Sequence, residues 1–270
     1  MLGPFTTKKE NKLTEWFANI EKFKNKTVVI TGASQGIGEA AARMFADLGA
    51  NVALLARSKN KIDKISSEIN LNGGKSNAIQ CDVSNASQME NAIRTTMKMF
   101  GSIDILIGNA GVIEPIKSIS DMEVSDFDKV IDINVKGVWY GIKSVLPYMI
   151  NGGTIITVGS GAAISPLDGW SHYCTSKAAV HHLNACLDLE MRSNSIRALV
   201  LSPGTVATEM QRLIKKSGVN PVSKMEWEDH VPANWAAKCL VWMCTAQSDD
   251  YLGKVVSLRE EGIRKAIGVI

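Results

Sequence analysis

Residues 27–47 read T-V-V-I-T-G-A-S-Q-G-I-G-E-A-A-A-R-M-F-A-D. Thr27 to Thr31 are all β-branched, and so short an apolar run reads as a buried strand. Gly32, Gly36 and Gly38 punctuate the turn that follows. E-A-A-A-R-M-F-A-D-L is then built from strong helix formers and stops at Gly49. A strand, a glycine turn and a helix in immediate succession form the opening unit of an α/β fold.

Working outward, the same alternation continues to the end of the chain. N-V-A-L-L-A (51–56), S-N-A-I-Q-C-D-V (76–83) and I-D-I-L-I-G (103–108) read as strands, and helical runs separate them. A long helical segment is expected over about residues 125–149. It is followed by T-I-I-T-V-G (154–159), a helix after Tyr173, I-R-A-L-V-L (196–201) and K-V-V-S-L (254–258). Continuous apolar strands alternating with helices predict a parallel sheet covered on both faces. The expected architecture is a single doubly wound Rossmann-type α/β domain over residues 26–270, with about seven strands. Residues 1–25 form an N-terminal extension in which Leu13, Trp16, Phe17 and Ile20 recur at helical spacing, as in a short docked helix.

Composition narrows the function. The chain has 270 residues, 45% hydrophobic and 21% charged, with a net charge of +3. No basic stripe suggests nucleic acid, and no apolar run is long enough to suggest a membrane. The five cysteines form no C-x-x-C pair, so neither a disulfide framework nor a metal site is expected. A reducing, cytoplasmic location fits best. His172, His181 and His182 lie near Tyr173 without the spacing of a metal site or triad, and a surface position is expected for His172.

Two stretches carry chemistry. In Thr31–Gly38 the glycines permit close approach of the backbone to a pyrophosphate, and the helix N-terminus supplies N–H donors. The spacing is G-x-x-x-G-x-G, not the general G-x-G-x-x-G. In S-H-Y-C-T-S-K (171–177), Tyr173 and Lys177 fall one helical turn apart on the same face. A neighbouring ammonium favours phenolate, so Lys177 is expected to draw the tyrosine down from about 10 towards neutrality. Ser160, at the end of T-I-I-T-V-G, is placed to hydrogen-bond the same oxygen. Taken alone, Tyr-x-x-x-Lys is also the pattern of a surface tyrosine packed on a lysine stem.

Together these motifs carry a resemblance. T-G-x-x-x-G-I-G, Asn109-Ala110-Gly111, Asn134, Ser160, Tyr173-x-x-x-Lys177 and Pro203-Gly204 occur in the order of the short-chain dehydrogenase/reductase family, classical branch. The resemblance spans roughly residues 26–260. N-A-G-V-I-E-P and S-P-G-T-V-A-T-E-M-Q are similar to the sepiapterin-reductase-like and benzil-reductase-like members.

The resemblance implies roles. Tyr173 would be the general acid in reduction, Ser160 would polarise the carbonyl, and Lys177 would tune the tyrosine and bind the nicotinamide ribose. Asn134, in D-I-N-V-K, would hold a water in a proton relay. A buried polar residue there also needs hydrogen bonds of its own. The cofactor residues would be Gly32, Ser34, Gln35, Gly36, Ile37, Gly38, Asp82, Val83, Asn109, Ala110, Gly111, Pro203, Gly204, Thr205, Val206 and Thr208, together with Tyr173 and Lys177. Cofactor choice turns on L-A-R-S (55–58): Ala56 stands where NAD-preferring relatives carry a carboxylate. Arg57 and Ser58 offer donors to a 2′-phosphate, although Gln35 stands where many NADP-dependent relatives have a second basic residue. NADP(H) is the expected cofactor and NAD(H) the alternative.

The substrate is expected to be an uncharged ketone, aldehyde or diketone, or its alcohol, with a pterin-like or small polar carbonyl as the alternative. Trp170 and Met210 neighbour the catalytic segments and are candidate substrate contacts. A mobile cap is expected over residues 209–232, with Leu213, Ile214, Val219, Met225 and Trp227. A dinucleotide-binding regulator without turnover is the reading from a different class, and its signature would be loss of one of the four catalytic residues. Apolar residues on more than one face of the two long helices suggest a homodimer or homotetramer.

Overall fold

The computed structural model describes residues 23–270, so the helix expected around Leu13–Ile20 lies outside the described residues. Seven strands form one parallel sheet: β1 (Thr27–Thr31), β2 (Asn51–Ala56), β3 (Lys75–Gln80), β4 (Ile105–Gly108), β5 (Gly153–Val158), β6 (Ile196–Ser202) and β7 (Val255–Ser257). Their order is β3-β2-β1-β4-β5-β6-β7, with every pairing parallel. The doubly wound fold read from the alternation is therefore present.

The continuous apolar strand runs follow from burial on both sides. Val28, Ile30, Val52, Leu54, Ile105, Ile107, Leu199 and Leu201 point to one face. There they meet α1 (Gly36–Asp47), α2 (Lys59–Leu71), α8 (Ala233–Met243) and α9 (Glu261–Ala266). Val29, Ala53, Leu55, Leu106, Ile155 and Ala198 point to the other. They meet α3 (Ala86–Phe100), α5 (Gly137–Val145) and α6 (Ser171–Met191). The period-2 alternation of side chains thus feeds two cores from the inner strands β1, β2, β4, β5 and β6.

The helix expected over residues 125–149 is interrupted. It runs as α4 (Val124–Ile131), a π turn (Asp132–Lys136), α5 and a 3₁₀ turn (Leu146–Tyr148). The cap segment contains α7 (Glu209–Ser217) and two 3₁₀ turns, and a parallel bridge between Val206 and Val231 closes its base.

The strand order reverses between β1 and β4, which lie side by side while β2 and β3 extend to one side and β5 to β7 to the other. A crevice at the carboxyl ends of the strands at such a reversal is where this architecture binds ligands.

Candidate active site

A cavity of about 550 Å³ occupies that crevice, within the range of small-molecule and cofactor sites. Its walls come from the turn after β1, the ends of β2 to β6, the start of α6 and the segment from Pro203 to Val222.

One end is built from backbone. Gly32 and Gly36 have φ of +65° and +59°, a region that only glycine enters freely. A Cβ on Gly32 would stand 2.8 Å from Ala110 Cα, and one on Gly36 would stand 3.0 Å from Thr208 Cγ2. Thr31 and Asn109 lock the two turns together. Thr31 Oγ1 accepts from the backbone N–H groups of Asn109 and Ala110 at 3.0 and 3.1 Å. Asn109 Nδ2 donates to the carbonyls of Thr31 and Gly32 at 2.9 and 3.2 Å. Gln35 precedes α1 without capping it through its side chain, so the first N–H groups of α1 have no side-chain acceptor there. Gly32, Ser34, Gln35, Gly36 and Ile37 line the cavity. Gly38 does not, and packs instead against Gly32 and Asn109.

Arg57 and Ser58 line the same end, beside Asp82 and Val83. Asp82 accepts from the N–H and the hydroxyl of Ser84 at 3.0 and 2.7 Å, which folds the chain after β3 into the cavity wall. Lys61 donates to Gln35 Oε1 at 3.2 Å. Among these residues, Arg57 brings a fixed positive charge to the lip.

The other end gathers Ser160, Tyr173 and Lys177. Tyr173 is buried, and burial pushes its phenol up to about 12, a hydrogen bond with Ser160 opposing the shift. The expectation that Lys177 would bring the phenol towards neutrality is not met in this geometry. The ammonium stands 5.5 Å from the ring centroid and donates to the Val158 carbonyl at 2.7 Å. The same burial pushes Lys177 down to about 8. Desolvation sets the direction at Tyr173 and favours the protonated phenol. Ser160 Oγ accepts from Ala162 N–H at 3.1 Å, so its own proton is directed elsewhere.

Asn134 sits in the π turn and is 1% exposed. Its Oδ1 accepts from Val112 N–H at 2.8 Å, and its Nδ2 donates to Val112 O and Ser176 Oγ at 2.9 and 3.0 Å. The hydrogen bonds expected of a buried polar group are all made. Asn134 does not line the cavity. It stands behind Gly111, whose added Cβ would lie 3.4 Å from Asn134 Oδ1 and 3.6 Å from Lys177 Nζ. π turns of this kind concentrate at functional sites.

Beyond Tyr173 the lining turns apolar. Ile113, Ala162, Trp170, Tyr173 and Ile214 form a buried cluster, with Leu167, Met210 and Val222 against it. Trp170 meets the Tyr173 ring edge-on at 5.6 Å between centroids. Val83, Asn109, Ala110, Gly111, Pro203, Gly204, Thr205, Val206, Thr208, Trp170 and Met210 all line the cavity, as their sequence positions suggested. Ile113, Gln211 and Arg259 also line it and were not singled out. Arg259 lies just past β7, and the carboxyl end of a strand was the available signal.

His172 corrects another expectation. It is fully buried, with Nε2 2.8 Å from the Ile113 carbonyl. The first turn of α6 packs on the loop after β4, so this face does not meet solvent. No group of three potential metal-ligating side chains is present among the described residues, and no helix among them is long and apolar enough to cross a membrane.

A seven-stranded parallel sheet with a glycine cradle and a Tyr–Lys–Ser cluster at its switch point defines a dinucleotide-binding oxidoreductase. Comparison with known proteins agrees. A sequence profile of the short chain dehydrogenase family matches residues 26–218. The 2,3-dihydro-2,3-dihydroxybenzoate dehydrogenase of Bacillus subtilis is 36% identical over 197 residues, which are 72% of this chain and 74% of that protein. A short-chain type dehydrogenase/reductase from Mycobacterium marinum superimposes with a TM-score of 0.79 at 31% identity, covering 89% of this chain and 96% of that one. A short-chain dehydrogenase from Burkholderia cenocepacia, solved in complex with NADP, gives 0.78 at 26% identity over 88% and 97%. The chain belongs to the short-chain dehydrogenase family, and it is an NAD(P)-dependent dehydrogenase/reductase.

Proposed function

We propose that this protein is an NADP(H)-dependent carbonyl reductase, running as an alcohol dehydrogenase in reverse. The observation that carries this reading is a buried Tyr173, paired with Ser160, where a glycine cradle gives way to an apolar compartment.

The cradle fits a dinucleotide. Cβ atoms at Gly32 and Gly36 would fill it, and the N–H groups opening α1 suit a pyrophosphate. Asp82 and Val83 would flank the adenine, with Asn109, Ala110 and Gly111 lining the middle. Val206 and Thr208, after Pro203-Gly204, would hold the carboxamide end. Arg57 and Ser58 would take a 2′-phosphate, and Ala56 offers no carboxylate to repel it. When bound, the cofactor supplies the hydride.

The chain's own residues position the substrate and move the proton. Ser160 Oγ accepts from Ala162 N–H and its hydroxyl lies within hydrogen-bond reach of the Tyr173 phenol, so a substrate oxygen placed between the two hydroxyls would be polarised by the serine. Tyr173 then gives that oxygen its phenolic proton, an acid contribution of typically 10²–10⁴-fold. Lys177 would return a proton to the tyrosine, and Asn134, which like Lys177 stands behind Gly111, would hold the water that links the lysine to solvent. Trp170, Met210, Leu167 and Ile214 exclude water and favour an uncharged ketone, aldehyde or diketone. All four catalytic positions are filled, which favours turnover over an idle regulator.

Exposed Val124, Phe127, Trp139 and Leu189 lie on α4, α5 and α6, so the expected assembly is a homodimer or homotetramer. A monomeric mass at micromolar protein would refute that. The five free cysteines suit a reducing, cytoplasmic setting.

The test is consumption of NADPH over a panel of carbonyls by the wild type and by Tyr173→Phe. Turnover of at least one carbonyl, falling at least about 10²-fold in the variant while cofactor binding persists, is the expected result. Tight binding without turnover on any carbonyl or alcohol would replace the reductase with a regulator.

A further inference from the structure

Tyr173, Lys177 and His181 lie on successive turns of α6. The first two have roles in the reading above; the third has none, although it too faces the end of β5. Lys177 Nζ donates to the carbonyl of Val158 at 2.7 Å. His181 Nε2 receives the backbone N–H of Ser160 at 3.4 Å. Two residues one turn apart on a helix therefore grip the end of β5 and the turn after it, one by the strand's last carbonyl and the other by the amide two positions on. Gly159, between the two grips, donates its N–H to Leu201 O at 2.8 Å. The imidazole lies directly over Gly159. A Cβ there would collide with His181 Nε2 and would stand 2.6 Å from Val200 Cγ1, so the glycine is the counterpart of the histidine.

We propose that His181 is a positioning residue for the reaction, holding the Ser160 backbone so that the serine hydroxyl faces the substrate oxygen. The proposal rests on the reading of Ser160 as a substrate-polarising group.

The chemistry of the ring supports it. A backbone N–H can only donate, so Nε2 must be the unprotonated nitrogen and the proton must sit on Nδ1. Burial, aided by the Lys177 ammonium, pushes the imidazole down to about 4. Burial thus favours the neutral ring, the form in which Nε2 can accept. Lys177 thus contributes twice to the geometry of Ser160: directly through Val158, and by holding the adjacent imidazole neutral. On the other side of Ser160, Ala162 N–H fixes Oγ. With the amide and Oγ both held, the serine hydroxyl is kept beside the Tyr173 phenol.

The test uses the full-length protein with two substitutions and one spectrum. His181→Leu keeps bulk and removes the acceptor, whereas His181→Gln can restore an acceptor oxygen. The expected result for His181→Leu is a five- to tenfold loss of kcat, the order of one modest hydrogen bond, with the NADPH dissociation constant unchanged within about twofold. His181→Gln should recover much of the loss. Equal activity of the two variants, or an effect confined to cofactor binding, would overturn the proposal. Should either variant fold poorly, ¹⁵N NMR of the imidazoles in the wild type decides: an unprotonated His181 Nε2 at neutral pH supports the clamp, and a protonated Nε2 refutes it. Ser160→Ala separates the two readings. If it leaves turnover intact, the role of Ser160 fails, whatever the tautomer of His181.

Discussion

Gly38→Ala is the substitution whose cost can be worked most directly from this structure. Gly38 is the third residue of α1 and never meets the cavity, yet an alanine Cβ there would lie 2.6 Å from Asn109 Nδ2 and closer still to the Gly32 carbonyl. Ordinary carbon contacts need about 3.5–4.0 Å, so the start of α1 must retreat by roughly 1 Å or Asn109 must yield. Overpacking of this kind costs about 1–3 kcal/mol. Displacing Asn109 endangers its bonds to Thr31 O and Gly32 O, about 1 kcal/mol each. Alanine's better helix propensity returns at most about 1 kcal/mol. The balance is a destabilisation of about 1–4 kcal/mol. For a chain of this size that is a fall in Tm of roughly 2–16 °C, accompanied by weaker NADPH binding. Differential scanning calorimetry and fluorescence titration measure both. Gly262→Ala is the control, because its Cβ would meet nothing within 4 Å in α9; it should be neutral or slightly stabilising. A Gly38→Ala protein that melts with the wild type and binds NADPH equally would refute the interlock of the two turns.

Four further outcomes are expected. Arg57→Ala should weaken NADPH binding by roughly 10- to 100-fold, the worth of charge-assisted hydrogen bonds, and leave NADH within about twofold; equal losses for both would remove Arg57 from the phosphate site. Asn134→Ala strands the N–H and C=O of Val112 and should cost about 2–4 kcal/mol, read as a lower urea midpoint; an unchanged midpoint would refute it. Lys177 has its pKa lowered on folding from 10.5 to about 8, so between these values the unfolded chain binds the extra proton and the folded one does not. Its contribution to stability therefore rises with pH across that window, and Lys177→Met should abolish that rise in urea midpoints measured from about pH 8 to 10. Tyr173 runs the other way: raised from 10.0 to about 12, it should erode stability above about pH 10, an erosion missing in Tyr173→Phe.

Legibility in the sequence followed burial. The inner strands could be read because they are covered on both sides, so Val28 to Ile30 or Val52 to Leu55 show no polar gap. The cradle and the Tyr–Lys pair could be read because a short local spacing fixes them. Asn134 announced a need for partners, but the π turn that serves it depends on Val112, 22 residues away. The phenol's upward shift was hidden for the same reason: the burial behind it is tertiary, with Trp170 packed edge-on against the ring. His172 was misplaced because α6 is buried on more than one side. His172, Tyr173, Ser176, Lys177, Val180 and Asn184 all lie inside, and such a helix has no single apolar stripe to show which residues face water.

The bridge between Val206 and Val231 sets the entry and exit of the cap side by side. The chain between them leaves the sheet and returns to the same place, while Asn220 ties its far side to the Asp168 carbonyl at 3.0 Å. Such a segment is an interchangeable cassette. Its sequence can diverge, lengthen or be grafted from a relative, provided that the two stems, the Asn220 tether, Thr208 against Gly36 and Ile214 in the Tyr173 cluster are kept. Selection for a new substrate can thus proceed in one closed loop of chain without reopening the hydride and proton chemistry beneath it.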